Sequence, residues 1–577
     1  MKKSLLFSIL AIVAAVAIGA TIYFVSTSKD SEDAKLTELC TNIDDLAVFY
    51  VNVKQLDEKG AFDKHITPEN RRLMATAMKA GCDDSAVGAH IASIIEDLNN
   101  TGINFDLPIY GCVNKNADVA FIATVADVEK LDKSIEAISY MLEMDDQEPI
   151  VVVTEGDTRS FTYEEFAVTY NDTQIAIAPI VNDYDTTIAY AAESLNRSME
   201  QLAIFGQSDM ATYVNLEMFI GTIIDSLNRN NDMYREWIAE DDSYAGYWED
   251  SIAQNEKNIA MLESYKKELK ENANAVMSLT FNPGSAIVDI KTDLGETLTT
   301  QYEDLYLRTS NEHLKYFSND VLALMNYGIN GNNIATMIST LLEDPNFKEM
   351  INAEVDSNEF NMIMAIAADV IKSINGDFTI GVEDISGQMA QRYNYYWDEY
   401  YTKPEFHSIE AACLVDVADK YIISNVGQFG AGIFTREGTD SYSASLEGFD
   451  FTICQENNLL FASVNMPFAT KERTAAERPW AEKIDNTLSY MILDIDNIMK
   501  NDFIKLLSDE LKEEMDYDVR DIYQRAVDMV SYSYFVVNDV TTVEFGIIFD
   551  DKRTNALEQI TNLLLPLAVE EVTNEIF

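Results

Sequence analysis

A charge-free apolar run at the N-terminus constrains this chain more than any other feature. Lys2 and Lys3 precede the run, which extends from Leu5 to Val25 and is followed by Lys29. As a helix, this run is roughly 30 Å long, which is the thickness of the hydrocarbon core of a bilayer. The sequence therefore predicts one transmembrane helix within residues 1–28.

The residues around this helix predict its orientation and its fate. Lysines collect on the cytoplasmic side of membrane segments, so residues 29–577 are expected outside the cytoplasm. The run is longer than the apolar region of a cleavable signal peptide, and small-residue sites such as Ala15-Val16-Ala17 lie inside it. We expect an uncleaved signal anchor followed by a polar stalk at residues 29–39. Secretion after signal cleavage is the alternative.

The acidity of the chain limits its partners. It contains 98 Asp and Glu residues against 41 Lys and Arg residues, which gives a formal net charge of −57. Proteins hold phosphate backbones with Lys and Arg, so nucleic acid is not expected to bind, and anionic lipid is repelled as well. We expect membrane contact through Leu5 to Val25 and a partner that is an envelope protein or a glycan. Basic proteins, cationic peptides and divalent cations also remain open, as does the oligomeric state.

Strand-like segments recur along the chain in one order. Asn52 and Asn326 end two such segments 274 residues apart, and Asp127 and Asp419 end two others 292 residues apart. Hairpins starting at Phe166 and Phe449 lie 283 residues apart, and the segments ending at Asn215 and Asp494 lie 279 residues apart. Nearly constant displacement in a preserved order predicts a tandem duplication, with halves at residues 40–310 and 315–577.

The elements within each half predict an α+β fold. Buried strands end at Asn or Asp, where a short polar side chain can bond the backbone that turns into a helix. Because such units alternate with hairpins, we expect two related halves, each with an antiparallel or mixed sheet covered by helices. Apolar residues at helical spacing from Ser251 to Ala273 predict a long surface helix between the core units.

No motif in the sequence predicts an enzyme. P-loop, dinucleotide-binding, zincin and α/β-hydrolase motifs are missing from the sequence. The four histidines, His65, His90, His313 and His407, occur singly with no second ligand nearby in sequence. We therefore expect no catalytic residue, no cofactor and no metal site. The alternative is an extracytoplasmic hydrolase assembled from distant residues, for example His407 with Cys413.

The cysteines predict no disulfide framework. Their number is odd and their spacing is irregular, which favours buried free thiols. A single bridge between Cys40 and Cys82, or between Cys413 and Cys454, is the alternative in an oxidising compartment.

Two clusters of aromatic and acidic residues are the candidate binding surface. Tyr and Trp offer a large contact area with a polar tip, which suits stacking on a sugar or packing on a protein. The alternative is that each ring is half buried on a hairpin or helix that covers the core. The candidate residues are Trp237, Tyr247 and Trp248 in the first cluster, and Tyr393, Tyr395, Tyr396, Trp397, Tyr400 and Tyr401 in the second.

A further pattern resembles a known family. The segment from Gly102 to Tyr110 follows the Tyr50-Val51-Asn52 strand and precedes the strand from Val119 to Asp127. This order is similar to that of a family of bacterial cell-envelope proteins described as a domain of unknown function. The resemblance implies a secreted or membrane-anchored protein and brings no catalytic residue with it. We therefore expect a membrane-anchored, extracytoplasmic binding or scaffolding protein of the bacterial cell envelope that is not an enzyme.

Overall fold

The computed structural model of this chain describes residues 45–564, apart from residues 62–63, 65–66, 83, 116–117, 145–146, 164–165, 181–183, 196–207, 241–243, 344–365, 395–398, 430–431 and 515–516. The transmembrane helix and the stalk expected from the sequence lie in residues 1–39, outside the described residues. In the part that is described, no helix is both long and apolar enough to cross a bilayer.

The described elements confirm the predicted α+β class. The first series consists of β1 (Ala47–Val51), α1 (Val53–Gly60), α2 (Pro68–Gly81), α3 (Ser85–Glu96), β2 (Ile109–Val113), β3 (Val119–Thr124), α4 (Val128–Met144), β4 (Val153–Glu155), β5 (Thr158–Tyr163), β6 (Phe166–Tyr170), β7 (Gln174–Pro179), α5 (Tyr184–Ser194), β8 (Met210–Asn215), α6 (Leu216–Glu240), α7 (Ala245–Glu268), β9 (Asn274–Asn282), β10 (Ser285–Asp293) and α8 (Glu296–Glu303).

A second series follows a short 3₁₀ turn at Glu312–Tyr316. It consists of β11 (Ala323–Asn330), α9 (Gly331–Glu343), β12 (Ile374–Asn394), β13 (Glu399–Val417), α10 (Tyr421–Phe429), β14 (Thr435–Arg436), β15 (Ser441–Leu446), β16 (Phe449–Glu456), β17 (Leu459–Val464), β18 (Ser489–Leu493), α11 (Ile495–Ile498), α12 (Asp502–Glu514), α13 (Tyr517–Met529), β19 (Val530–Asp539) and β20 (Thr542–Phe549).

All 20 strands join in one sheet, and each pairing between the described strands is antiparallel. The order of hydrogen-bonded neighbours is β4-β5-β6-β7-β3-β2-β1-β8-β9-β10 in the first series. It continues as β20-β19-β18-β11-β12-β13-β17-β16-β15-β14 in the second series. The large antiparallel sheet thus agrees with the sheet type predicted from the hairpins.

The pairing pattern of the first ten strands recurs in the last ten. β1 lies between β2 and β8, and β11 lies between β12 and β18. β3 lies between β2 and β7, and β13 lies between β12 and β17. Equivalent positions follow from the strand ends, because the Asn215 backbone N–H donates to Leu46 and the Asp494 backbone N–H donates to Leu322, both at 2.9 Å. Four residues after Leu46, Tyr50 lies opposite Tyr110, and four residues after Leu322, Asn326 lies opposite Thr379.

The two series meet where their last strands pair with each other. β10 pairs with β20, and Asp289 lies directly opposite Glu544. This pairing removes two open sheet edges, although it sets two acids against each other. Burial raises the pKa of Asp289, and the charge of Glu544 raises it further. Lys483 relieves part of this repulsion, because its ammonium group lies 3.1 Å from Glu544.

Each series buries its own large aromatic side chains. Tyr50, Tyr110 and Tyr213 belong to one core cluster, and Phe461 and Trp480 belong to another. Fully burying a large apolar side chain stabilises a fold by about 1.5–3 kcal/mol. Each series therefore has an apolar core of its own, and a further cluster joins the series where β10 meets β20, through Phe281 and Ala286 of the first and Phe549 and Ala556 of the second.

Asn and Asp at strand ends start helices, as the sequence predicts. The side chains of Asn52, Asn215 and Asp494 each accept a backbone N–H from the following helix, at 3.1, 3.0 and 3.1 Å. The predicted strand end at Asn326 is wrong. β11 continues to Asn330, whose side chain accepts a backbone N–H at 3.4 Å, and Asn326 is completely buried within the strand.

Candidate functional site

The first predicted aromatic cluster lies at the end of a helical hairpin. Helices α6 and α7 form this hairpin, which we call the helical arm, and the 25 residues of α6 reach roughly 37 Å. The first half of α6 has buried side chains at Leu216, Ile220 and Ile224, whereas α7 has no buried residue. The surface helix expected from Ser251 to Ala273 is thus observed as α7, with earlier bounds. Since α7 covers no core, it packs mainly on α6.

Four aromatic rings contact one another at the end of the helical arm. The stacked pair Tyr234 and Trp248 has ring centroids 4.9 Å apart, and Trp237 meets Trp248 edge-on, also at 4.9 Å. Tyr247 contacts Trp248 at 4.8 Å. We call these four residues the aromatic tip. Trp237 is 39% exposed and Tyr247 is 66% exposed, so the rings are ordered by each other while keeping faces open to solvent.

Polar contacts hold the two helices together just below the aromatic tip. The Asn255 amide donates to the buried Asn231 at 2.8 Å, and Arg235 lies 3.1 Å from Glu256 across the arm. Arg235 also contacts Asp232 at 2.8 Å within α6. These cross-links fix the register of α6 and α7, so the aromatic tip has a defined shape.

The second predicted cluster lies on a two-stranded β-ribbon. β12 pairs with β11 only as far as Val382, and β13 pairs with β17 only from Ala411 onward. Beyond these points β12 and β13 pair with each other, out to Asn394 and Glu399. We call this extension the β-ribbon. In its outer part Tyr393 lies opposite Tyr400 with ring centroids 5.0 Å apart, and Tyr400 is 69% exposed.

Helix α12 supports the base of the β-ribbon. The Asn501 amide donates to Asp384 at 2.6 Å, and the Phe503 ring lies 6.4 Å from Phe406. A Cβ atom at Gly387 would lie 2.2 Å from the Phe503 ring, so the absence of a side chain lets this ring approach the ribbon. The ribbon is therefore fixed at its base and projects at its outer end.

The structure places the predicted binding residues in two separate groups. Trp237, Tyr247 and Trp248 meet in the aromatic tip, and Tyr393 pairs with Tyr400 on the β-ribbon. Tyr401 lies opposite Arg392 in the ribbon ladder. The remaining candidates, Tyr395, Tyr396 and Trp397, lie outside the described residues.

Sequence reasoning missed a third group, which is a buried polar cluster on the second series. His313, Asp377 and Asp416 each offer a ligand atom, and these atoms all lie within 4.8 Å of one another. His313 comes from the 3₁₀ turn before β11, whereas the two carboxylates come from β12 and β13. We call these three residues the His–Asp–Asp cluster. No local spacing signals it, because its members are brought together only by strand pairing.

Hydrogen bonds orient each member of the His–Asp–Asp cluster. The His313 ring contacts the Thr379 hydroxyl through Nδ1 at 2.7 Å and Asp416 through Nε2 at 3.2 Å. The Ser310 hydroxyl donates to Asp377 at 2.6 Å, and the Asp377 backbone N–H donates to Asp416 at 3.0 Å. Ser310 therefore faces a carboxylate and not the imidazole, which differs from the Ser–His pair of a hydrolase.

The electrostatics of the two carboxylates differ. Burial raises the pKa of Asp377, although the hydrogen bonds from Ser310 oppose this shift. Burial also disfavours the charge of Asp416, but His313, the Asp377 backbone N–H and the charge of Lys315 together outweigh burial and lower the pKa of Asp416. The Asp416 side chain is 38% exposed, so one side of the cluster reaches solvent.

Comparison with known proteins assigns the chain to a family. The family model described as Domain of unknown function (DUF4836) matches residues 40–557. The chain belongs to this family. The predicted membership in a domain of unknown function is thus confirmed. No curated protein and no solved structure has a significant match to the chain.

The described cysteines of this DUF4836 chain are free thiols. Cys82, Cys112, Cys413 and Cys454 form no disulfide with one another, so a Cys413–Cys454 bridge is not present. The other alternative, a Cys40–Cys82 bridge, involves Cys40, which lies outside the described residues. Burial raises the pKa of Cys413 to about 11 and that of Cys112 to about 12. A thiol with so high a pKa is a poor nucleophile at neutral pH, and this argues against a hydrolase that uses Cys413.

Proposed function

We propose that this DUF4836 chain is a membrane-anchored, extracytoplasmic protein of a bacterial cell envelope. In this proposal it binds or scaffolds another envelope component through aromatic residues and is not an enzyme. The observation that carries the binding proposal is the aromatic tip. Its four rings contact one another at the end of a helical arm whose second helix has no buried residue.

The exposure of the aromatic tip supports binding over a role in covering the core. A ring that covers the core has most of its surface buried. The rings of the aromatic tip, in contrast, keep much of their surface in water. Ordered, partly exposed Tyr and Trp side chains lose little conformational freedom when a partner covers them, and they are enriched at binding hot spots. Ring faces suit a sugar, and the acidic flanks of the arm suit hydroxyl groups or a basic protein surface.

The β-ribbon is proposed as a second contact surface for the same partner. It carries the contacting pair Tyr393 and Tyr400 on a projecting hairpin, and Tyr400 is 69% exposed. An ion pair between Arg392 and Glu405 joins the two strands just inside this pair. Two projecting aromatic surfaces on one continuous sheet would let the chain hold one large partner at two points, which raises the effective concentration at the second point.

The repeated strand order supports the proposal of two related halves. Each series of ten strands has the same neighbours in the same order, and the two series join through their last strands, β10 and β20. Tandem duplication explains this pattern with one event. The halves then differ mainly in their projections: the first extends the connection between β8 and β9 into the helical arm, and the second extends β12 and β13 into the β-ribbon.

The membrane anchor is tested by fractionation. The proposal rests on the apolar run from Leu5 to Val25 and the lysines before it. We expect the full chain to stay with membranes after alkaline carbonate extraction and a variant without residues 5–25 to be released. Release of the full chain by carbonate would contradict an integral anchor.

The binding proposal is tested with envelope extracts. We expect immobilised full chain to retain an envelope component that the double variant Tyr247→Ala, Trp248→Ala does not retain. Tyr265→Ala is the matched control, because Tyr265 is 50% exposed on the same helix but lies outside the aromatic tip. Treating the extract with protease or with glycan-degrading enzymes identifies the class of the component. Equal retention by the double variant and the wild type would refute the role of the aromatic tip.

A further inference from the structure

We propose that the His–Asp–Asp cluster binds one divalent transition-metal cation, of which Zn²⁺ is the best fit. One imidazole nitrogen and two carboxylate oxygens are ligands that suit zinc. In a tetrahedral zinc site, ligand atoms about 2.0–2.1 Å from the metal lie roughly 3.3 Å from each other. His313 Nε2 and Asp416 Oδ1 already lie 3.2 Å apart, and all three ligand atoms fall within 4.8 Å of one another. Small side-chain rotations complete this geometry.

The charge and exposure of the cluster favour a divalent cation. His313 and Asp377 are 3% and 2% exposed, so their ligand atoms lie in a medium where an unpaired carboxylate is costly. One cation of charge +2 neutralises Asp377 and Asp416 together. The exposed side of Asp416 provides an entry route and leaves a coordination position open to water or to a small anionic ligand.

A second set of buried polar groups supports the imidazole ligand. Thr379 contacts Nδ1 of His313, and Asn326 lies opposite Thr379 on the adjacent strand. Asn326 is completely buried, and neither atom of its amide group makes a well-aligned hydrogen bond. When Nε2 binds a metal, Nδ1 carries the proton and donates to the Thr379 hydroxyl, which lies 2.7 Å away. Metal-bound histidines commonly have such a supporting hydrogen bond.

Tyr490 extends this buried polar row. It lies opposite Asn326 on β18, and its hydroxyl also has no well-aligned hydrogen bond, although the Asn326 amide is close enough to oppose the rise in the Tyr490 pKa that burial causes. Thr379, Asn326 and Tyr490 thus form one row across three adjacent strands. Buried polar groups without partners are rare in folded proteins, and each calls for an explanation, of which a bound ion or a functional role is one kind.

The other series shows that the fold does not need this polar row. The ladder positions that match Asn326 and Thr379 hold Tyr50 and Tyr110, whose rings pack at 5.6 Å in an apolar core. The same sheet is therefore built with aromatic rings at these positions. The β12–β13 pairing also has a register shift between Ile374 and Phe378. Asp377 lies within this irregular stretch, and its backbone N–H donates to the Asp416 carboxylate.

The local backbone is shaped to admit Asp416. Gly376 has a φ of 139°, and a Cβ atom there would lie 2.6 Å from the Asp416 carboxylate. Only glycine adopts this conformation readily, and only glycine leaves room for the carboxylate. Strand irregularities of this kind are over-represented beside functional sites.

Metal titration of the full chain tests the proposal. Protein kept in detergent micelles is freed of metal with a chelator and titrated with Zn²⁺ by calorimetry, in a buffer that contains Ca²⁺ to occupy weak surface carboxylate sites. We expect one saturable Zn²⁺ site per chain with a dissociation constant below about 1 µM, and weaker binding of Mn²⁺ at the same site. The absence of a saturable site under these conditions would overturn the proposal.

Variants assign the site to its residues. His313→Gln and Asp416→Asn should each weaken Zn²⁺ binding at least about 100-fold, and Thr379→Val should weaken it about 10–100-fold by loosening the imidazole. His407→Gln is the matched control, because His407 is exposed on the β-ribbon, and it should leave binding unchanged. Circular dichroism establishes that each variant folds. If His313→Gln fails to fold, unchanged Zn²⁺ binding by folded Asp416→Asn or Thr379→Val overturns the assignment.

Discussion

Replacing Asp494 should destabilise the second series far more than replacing its counterpart destabilises the first. Asp494 is fully buried and accepts four hydrogen bonds. Two come from the Arg478 guanidinium at 2.7 Å each, one from the Trp480 indole at 2.9 Å, and one from the Asn497 backbone at 3.1 Å. In the first series, Asn215 ends the corresponding strand β8 and accepts the Met218 backbone N–H at 3.0 Å.

The expected magnitude follows from these contacts. Breaking a buried ion pair by removing one partner costs about 3–5 kcal/mol, because the remaining charge stays buried. Arg478 is 18% exposed on its side chain and lies 4.0 Å from Asp496, which compensates in part. We therefore expect Asp494→Ala to lower the free energy of unfolding by about 3 kcal/mol. Asn215→Ala, which removes a helix cap, should cost about 1 kcal/mol.

Fluorescence of Trp480 provides the assay. Trp480 is fully buried, and replacing Trp237, Trp248 and Trp397 by Phe leaves it as the one tryptophan of the chain. With a urea m-value of about 3 kcal/mol/M, Asp494→Ala should lower the unfolding midpoint by about 1 M. Asn215→Ala should lower the midpoint by about 0.3 M in far-UV circular dichroism. Equal shifts for the two variants would refute the argument that the buried ion pair, and not the helix cap, dominates at Asp494.

Three further predictions concern the join between the series, the thiols and the β-ribbon. Asp289→Asn should stabilise the fold at pH 7, because burial and Glu544 raise the pKa of Asp289 and its ionised form therefore disfavours folding. This gain in stability should shrink as the pH falls through the raised pKa of Asp289. A gain in the urea midpoint that stays constant from pH 4 to 8 would contradict the prediction. Cys413, with a pKa of about 11, should be roughly 0.1% thiolate at pH 8 and should therefore react slowly with iodoacetamide. Mass spectrometry of the alkylated protein should show a rate that rises up to pH 11. A rate that stops rising by pH 9 would show that the pKa is not raised. Gly387→Ala should displace Phe503 and make the β-ribbon more sensitive to limited proteolysis, while the free energy of unfolding in urea stays within about 1 kcal/mol of wild type. An unchanged cleavage rate would argue against the contact between Gly387 and Phe503.

Local chemistry made several features predictable from the sequence. Asn52, Asn215 and Asp494 were predicted to end strands because a helix cap depends only on the next few residues, and each cap is observed. The hairpins predicted from Phe166 and Phe449 are also observed, as β6–β7 and β16–β17. These features need only neighbours in sequence, which a single chain displays directly.

Features that depend on distant pairing were not predictable. Asn326 resembles the other strand-ending residues in sequence, but its strand continues because β12 and β18 flank it on both sides. His313, Asp377 and Asp416 are far apart in sequence and meet only after β12 and β13 pair. The meeting of β10 with β20 likewise has no local signal. Each of these features depends on which strands pair with each other, and the sequence pattern alone does not predict that pairing.

The central claim is that the aromatic tip is a binding surface, and one affinity comparison tests it most directly. Once the retained envelope component is purified, its dissociation constant is measured by surface plasmon resonance against the wild type, Trp248→Ala and the control Tyr265→Ala. Trp248 contacts three other rings of the aromatic tip, so its loss should weaken binding at least about 30-fold, the effect of a hot-spot residue, with the urea midpoint unchanged. Tyr265→Ala should bind like the wild type. Equal affinity of Trp248→Ala and Tyr265→Ala, or unfolding of Trp248→Ala, would contradict the account.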